Sequence, residues 1–284
     1  MQSPRFIFSF ILLFLSLQAY AKTVVIQGSE RSDYVVDTLK QALSYSVNKN
    51  YQVKFYNQFL PKIRVFQNIA NNGGINIIAA GATIDREKML QPIYFPLVKG
   101  VFGWRIPLVN KNNSDLFLPR LSAEEFKTLT VGQLHSWSDT KVLESNDLHV
   151  EKGSSYQGLF QMLAANRFDY FPRSIIEVQK EFNEQKNLSI TIDTNSLLHY
   201  PTAYFFYVNK MNKTLADDVA YGLEQSLKDG SFERLFMQYY GDIVNKTINE
   251  NRIVYHLKNP FLPKKTPLNR KELWLNLTTN EEVY

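Results

Sequence analysis

Beyond an N-terminal apolar run, short continuous apolar stretches alternate with stretches of helical spacing. Residues 23–26 have the composition of a short buried strand, and two further strands are expected at 52–56 and 75–80. Between them apolar positions recur every three or four residues, which is typical of helices with one buried face. Asp33 suits the N-cap of the first helix and Pro61 the first turn of the second. This strand and helix alternation predicts a parallel sheet with helices on its faces.

The second half of the chain repeats the alternation after an extended stretch, 98–109, and a polar turn at 110–114. An aromatic strand is expected at 203–208, followed by two helices. The second of these helices is expected to begin at Ser231 and to end at Gly241. Further strands are expected at 130–133, 149–151, 169–171 and 188–192. The pattern therefore predicts two α/β units.

Residues 1–21 have the features of a secretory signal peptide. Arg5 precedes the apolar run Phe6–Leu17, and Ala19-Tyr20-Ala21 fits the small-x-small cleavage rule. The run is shorter than the roughly 20 residues that a spanning helix needs. We therefore expect cleavage after Ala21 and a periplasmic protein, with a retained anchor as the alternative. No Cys stands near the cut, which excludes a lipoprotein anchor.

Composition excludes several classes of function. The chain has 284 residues, with 32 Lys and Arg spread along it against 27 Asp and Glu, so no nucleic-acid footprint is present. The absence of Cys excludes thiol catalysis and Cys-ligated metal sites. The four His residues lack zinc-site spacing, and no phosphate loop or G-x-S-x-G elbow occurs. We therefore expect no metal and no cofactor. We also expect the protein to be a monomer.

Four short segments, in this order, carry a resemblance to a known family. They are Thr83-Ile84-Asp85-Arg86 with Gln91-Pro92-Ile93-Tyr94-Phe95-Pro96, Lys152-Gly153-Ser154-Ser155-Tyr156 with Leu159 and Leu163, Asn166-Arg167-Phe168-Asp169, and Leu227-Lys228-Asp229-Gly230-Ser231-Phe232 through Tyr240-Gly241. Each motif alone is weak, but their order and separations together are specific. On these motifs, residues 22–241 resemble a divergent branch of the type II periplasmic solute-binding proteins, especially the family that serves polar amino-acid uptake.

The resemblance implies an α/β fold of two lobes, each a mainly parallel sheet flanked by helices, joined by a two-strand hinge. Lobe 1 would comprise residues 22–108 and 201–241, and lobe 2 residues 109–200. The tail, residues 242–284, lies outside the family pattern and is expected to pack on lobe 1. The resemblance also implies a small-molecule ligand in the cleft and, as partner, an ABC-type membrane permease or a sensor.

In the resembled family the arginine of T-x-x-R holds the α-carboxylate of the ligand, which here implies Arg86, with Thr83 as a second donor. A guanidinium is a planar fork that meets a carboxylate with two hydrogen bonds. The alternative is a surface ion pair of Arg86 with Asp85 or Glu87.

The chain departs from the family where an aspartate usually holds the ligand's ammonium. Arg173 and Ser174 stand there instead. An unpaired ammonium in a cleft is costly, so two arginines facing one cleft suit a dicarboxylate or another anion better. The alternative for Arg173 is a solvated position at a helix start.

Other candidates for the cleft are hydroxyls and aromatic rings. Ser154 and Ser155 at a helix start would present hydroxyls and amides to an anion, or would only cap the helix. Aromatic walls bury ligand area at low entropic cost. By position the candidates are Tyr34, Trp104, Trp137 and Tyr156, with hinge packing as the alternative for Trp104 and helix covering for Tyr34.

We therefore expect a solute-binding protein, not an enzyme, that closes two lobes around a small polar, carboxylate-bearing ligand that is amino-acid-like or a dicarboxylate. The alternative is a sensing or scaffold protein of the same fold that acts on a membrane partner. A Ser-His-Asp hydrolase stays open, because triads are assembled in space; His135 beside Ser136, Ser138 and Asp139 is the candidate cluster. A dehydratase would need a general acid, for which Glu151 and Asp169 are the candidates.

Overall fold

The structure is a computed structural model that describes residues 21–28, 33–46, 50–118, 120–277 and 282–283. The expected signal peptide lies outside the described residues, except for Ala21. In the described part of the chain, no helix has the length and apolar composition needed to cross a membrane.

The described residues form thirteen strands and nine α-helices. The strands are β1 (Lys22–Gln27), β2 (Tyr51–Tyr56), β3 (Ile77–Gly81), β4 (Gln91–Ile93), β5 (Trp104–Asn110), β6 (Thr130–Leu134), β7 (His149–Gly153), β8 (Tyr170–Ser174), β9 (Ile190–Ile192), β10 (Ser196–His199), β11 (Tyr204–Val208), β12 (Ile253–His256) and β13 (Glu282–Val283). The helices are α1 (Tyr34–Ser44), α2 (Lys62–Ala70), α3 (Ile84–Met89), α4 (Ala123–Thr128), α5 (Ser138–Glu144), α6 (Tyr156–Ala164), α7 (Val178–Glu184), α8 (Lys213–Lys228) and α9 (Ser231–Asn249).

The strands form two separate sheets flanked by helices, which confirms the predicted α/β class. Within the described residues the first sheet has five strands in the order β2-β1-β3-β11-β4. The second has eight, in the order β13-β12-β10-β5-β8-β6-β7, with β9 also beside β5. All antiparallel pairs among these strands involve β5 or β11, and the remaining pairs are parallel.

Both faces of each sheet carry a core, which explains why central strands such as β3 and β11 are nearly continuous apolar runs. On β11, Phe206 and Val208 face a core shared with α1 and α8, whereas Phe205 faces the opposite core with α2. On β8, Phe171 packs with α6 and Tyr170 packs with α4 and α5. Successive side chains of a strand point to opposite faces, so each sheet separates two cores.

The chain passes from the first sheet to the second between β4 and β5 and returns between β10 and β11. The sequence predicts an extended stretch at 98–109, but Gly100 has a φ of 72° and Val101–Gly103 form a 3-10 turn. The predicted lobe boundary at 108 falls inside β5, and the one at 200 falls between β10 and β11. We call residues 94–103 and 200–203 the two crossing segments; the chain passes to the second sheet once more between β11 and β12, through α8 and α9.

The helix expected to end at Gly241 continues as α9 to Asn249, so that prediction is wrong. Glycine inside a helix costs about 1 kcal/mol relative to alanine. Val244 and Thr247 are buried at helical spacing beyond it, and this packing outweighs the glycine. Phe232 of α9 lies in a core of the first sheet, whereas Val244 lies in a core of the second. The helix thereby bridges the two units.

The expected packing of the tail, residues 242–284, on lobe 1 needs correction because the tail contacts both units. β12 joins the second sheet parallel to β10, and β13 pairs with β12. Between them, Leu273 lies in a core of the first sheet. The open edge of β10 is a row of unpaired backbone groups, which an added strand satisfies.

The two crossing segments touch at Gly103, where only a glycine fits. The Tyr200 amide donates to the Gly103 carbonyl at 3.2 Å, and a Cβ at position 103 would overlap the Tyr200 carbonyl. We expect Gly103→Ala to lower the free energy of unfolding by about 1–3 kcal/mol, as forced overpacking does. Urea unfolding followed by circular dichroism measures this loss.

The matched control is Gly241→Ala inside α9, where a Cβ would meet only the flexible Met237 side chain. This variant is expected to be as stable as the wild type or slightly more stable, because alanine favours a helix. Equal unfolding midpoints for the two variants would contradict the close crossing at Gly103.

Candidate functional site: a cleft between the two sheets

A cavity of about 700 Å³ lies between the two sheets, beside both crossing segments. Its volume is in the range of small-molecule sites. The first wall comes from the first sheet and its helices and carries Lys62, Phe66 and Arg86. The second wall comes from the second sheet and carries Arg105, Trp137, Asp139, Arg173 and Glu177. Phe102 of the first crossing segment and Tyr204 at the start of β11 complete the lining.

Arg86 lines the first wall and is held there by its own local structure. Thr83 caps α3, because its hydroxyl accepts from the Arg86 amide at 3.3 Å. The Arg86 guanidinium donates to the Gly81 carbonyl and lies 5.3 Å from the Phe66 ring centre. Asp85 pairs with Lys88 at 2.9 Å rather than with Arg86. The capped turn therefore presents the guanidinium to the cavity.

On the second wall, the Arg105 guanidinium is neutralised within a buried network. It donates to Asp139 Oδ1 at 2.5 Å, and the Tyr200 hydroxyl donates to the same oxygen at 2.6 Å. Burial opposes the charge of Arg105, but Asp139, Tyr200, Glu177 and Glu181 together outweigh it and raise the arginine's pKa. Arg105 is therefore a fixed part of the wall.

Arg173 is likewise held by carboxylates of its own chain. Its Nε and one terminal nitrogen each donate to Glu181 at 2.6 Å, and Glu177 lies at 3.2 Å. The guanidinium also lies 4.7 Å from the ring centre of Trp137. Arg173 is only 5% exposed, so it is not a solvated helix-start residue. Its partners leave it poorly placed to be a second anion site.

The two walls differ in charge balance. Both arginines of the second wall have carboxylate partners. In the part of the chain that the structure describes, no carboxylate oxygen lies within 4.0 Å of a side-chain nitrogen of Arg86 or Lys62. The first wall therefore carries an excess of positive charge that faces the cavity.

The two serines named from the sequence lie at a different place. Ser154 and Ser155 line a separate cavity of about 450 Å³ together with Glu151. The Ser155 hydroxyl accepts from the Gly158 amide at 3.1 Å and so caps α6. The capping alternative therefore describes Ser155 in this structure.

Two of the four aromatic residues that were expected to line the cleft lie in the core instead. The Tyr34 hydroxyl donates to the Leu97 carbonyl at 2.6 Å, and its ring is buried. Trp104 is buried too, stacks on His199 at 3.9 Å and donates to the Leu275 carbonyl. Neither ring lines the cleft. The Tyr156 ring centre is 5.7 Å from the Arg173 guanidinium, but Tyr156 is not among the lining residues, so of the four aromatic candidates only Trp137 lines the cavity.

The sequence interpretation missed Lys62, Arg105 and Glu177 as lining residues, and it named Asp139 only as part of a candidate hydrolase cluster with Ser136 and Ser138, which also line the cavity. For Arg105 a signal was present, because a charge inside the apolar run of β5 needs a buried partner. Lys62 carries no such signal, since a lysine at the start of a helix is ordinarily solvated.

The enzymatic alternatives gain no support from the geometry. His135 bonds to the Gly153 carbonyl at 3.1 Å, whereas Asp139 bonds to Arg105 and Tyr200. Asp169 accepts from the Thr130 amide at 2.7 Å and does not line the cleft. In the described residues, no group of three or more His, Asp or Glu side chains is placed to hold a metal ion.

No protein-family model matches the chain, and no curated protein matches it. Solved structures do share its fold. The probable amino-acid ABC transporter extracellular-binding protein ytmK from Bacillus subtilis is 17% identical, with a TM-score of 0.58, over 78% of this chain and 99% of its own. An ancestral arginine-binding protein bound to arginine is 18% identical, with a TM-score of 0.50, over 77% and 97%.

A third solved structure, the GLUR0 ligand-binding core in complex with L-glutamate, is 14% identical, with a TM-score of 0.50, over 78% of this chain and 99% of its own. These likenesses confirm the predicted fold, that of two-lobed periplasmic binding proteins.

Proposed function

We propose that this protein captures a small carboxylate-bearing molecule in the cleft between its two sheets. The observation that carries the proposal is Arg86, an arginine without a carboxylate partner on the wall of a cavity of ligand size. A guanidinium that is already oriented by Gly81 and Phe66 loses little freedom when it binds a carboxylate.

The second wall contributes polar groups that suit the rest of such a ligand. Hydrogen bonds to Asp139 from Arg105 and Tyr200 both go to Oδ1, and Arg173 contacts Glu177 through Oε2. The sequence shows no carboxylate for a ligand's ammonium group at the usual place, and Asp139 and Glu177 offer one on the second wall. The proposal therefore includes amino-acid-like ligands as well as dicarboxylates. Closure of the lobes around the ligand would exclude water and strengthen these contacts.

The fold also supports a proposal about the location of the protein and its membrane partner. Similar structures are described as an amino-acid ABC transporter binding protein and as proteins in complex with arginine or L-glutamate. We therefore include in the proposal a periplasmic location, a cleaved signal peptide and an ABC-type permease that receives the closed form. The alternative is a sensor or scaffold that acts on a membrane partner.

The experiment that tests the proposal is a ligand screen by thermal unfolding of the purified protein. The panel comprises amino acids, dicarboxylic acids, short peptides and, as uncharged controls, sugars. A ligand at 100 times its Kd stabilises the folded state by about 2.7 kcal/mol, so the melting temperature should rise with a carboxylate-bearing compound. A rise with sugars alone would contradict the role of Arg86, and no rise across the panel would favour the sensor or scaffold.

A further inference from the structure

Lys62 is the second cation of the first wall. It is the first residue of α2, the helix that also carries Phe66, over whose ring Arg86 lies. Its side chain is exposed to the water of the cleft and lines the same cavity as Arg86. Partial burial and repulsion from Arg86 lower the pKa of Lys62. The two charges therefore act on each other across one wall.

The remaining charges of the cavity do not neutralise this pair. Asp139 is engaged by Arg105, and Glu177 and Glu181 are engaged by Arg173. Among the described residues, the first wall has no carboxylate that pairs with either cation. A single ligand carboxylate would be bound by the Arg86 guanidinium. The Lys62 ammonium would then still have no carboxylate of its own.

We propose that Lys62 determines specificity in this cleft, and that the ligand is a small molecule with two carboxylates, one held by Arg86 and the other by Lys62. This inference rests on the proposed solute-binding function. The sequence analysis expected the second anion site at Arg173, but the Arg173 guanidinium is paired with Glu181. The inference places that site at Lys62, on the opposite wall. The four-carbon stem of lysine lets its ammonium reach carboxylates at different separations from the first.

The structure also allows a rival role for Lys62. Glu177 lies on the opposite wall of the same cavity and acts electrostatically on Lys62. An ion pair between them on closure would stabilise the closed form with any ligand and would carry no specificity. The two roles differ in what neutralising Lys62 does to a diacid and to its monoamide.

The test is isothermal titration of the wild-type protein and of Lys62→Gln with acid and amide pairs: glutamate with glutamine, aspartate with asparagine, and succinate with succinamate. A hydrogen-bonded ion pair contributes enough that the best diacid should bind about tenfold or more tightly than its monoamide. Lys62→Gln should remove this preference by weakening the diacid about tenfold while leaving the monoamide within about twofold. Lys62→Arg should retain it.

The matched control is Lys54→Gln, which removes one positive charge from an exposed position on β2. It should leave both affinities unchanged and so exclude a general effect of net charge. Lys62 is exposed, so Lys62→Gln should also keep the melting temperature of the ligand-free protein.

Three results would overturn the inference. Equal weakening of diacid and monoamide by Lys62→Gln, reproduced by Glu177→Gln, would assign Lys62 to closure. Equal binding of diacids and monoamides by the wild type would leave solute capture intact but exclude a two-carboxylate ligand. Binding of no carboxylate compound would overturn the proposed function together with this inference.

Discussion

Asp139→Ala is expected to lower the free energy of unfolding by about 3–5 kcal/mol, the usual cost of leaving a buried charge without its partner. The variant removes the carboxylate that accepts from both Arg105 and Tyr200. Arg105 lines the cleft but is only 6% exposed, so water from the cleft would compensate its charge only in part. Because these residues join β5, α5 and a crossing segment, the loss should appear in global unfolding by urea.

The control is Asp85→Ala, which breaks an ion pair with Lys88 that is almost fully exposed and should change the unfolding midpoint little. A double variant, Asp139→Ala with Arg105→Met, removes the charge that was stranded. It should be more stable than Asp139→Ala alone, because replacing both partners of a buried pair costs less than removing one. If the two losses instead add, Asp139 acts independently of Arg105.

The parts of the fold that the sequence predicts correctly are those set by local patterns. Asp33 precedes α1 and accepts from the Val36 amide at 2.9 Å, as its position before an apolar helical stripe predicts. The apolar runs of β1, β3 and β11 indicate strands, and all three lie in the first sheet. Short-range spacing decides such features.

The errors lie where contacts between distant segments decide the structure. Gly241 has the local signature of a helix end, but Val244 and Thr247 of the same helix find buried positions. The place of β12 depends on an open edge of β10, more than fifty residues earlier in the chain. No local spacing reports the existence of that edge.

The same division applies to the cleft. The T-x-x-R motif identifies Arg86, and the structure places it on the cavity wall. The sequence also singles out Arg173, but the pairing with Glu181 requires that α7 fold back on β8. Charge counting along a sequence cannot show which cations are already neutralised in space. In this cleft the arginines of the second wall are paired with carboxylates of the chain, whereas, among the described residues, Arg86 and Lys62 of the first wall are not.

Arg86→Ala is expected to weaken binding of the carboxylate ligand at least about 30-fold, because loss of one partner of a desolvated charge pair costs about 2–5 kcal/mol. The free energy of unfolding of the ligand-free protein should fall by less than the binding free energy does. The Arg86 side chain makes one hydrogen bond, to Gly81, and covers Phe66, and a hydrogen bond of a charged group contributes about 1.5–3 kcal/mol. Titration calorimetry and thermal unfolding without ligand measure the two effects.

Two arginine variants make this comparison decisive. Arg64→Ala removes the same charge from an exposed position on α2 and should change neither affinity nor stability. Arg173→Ala leaves Glu181 buried without its partner and should lower the free energy of unfolding by about 3–5 kcal/mol. The prediction is thus that binding and stability separate, with binding lost at Arg86 and stability lost at Arg173. If Arg86→Ala lowers the ligand-free melting temperature as much as Arg173→Ala does, then Arg86 is a structural residue and the carboxylate site must lie elsewhere in the cleft.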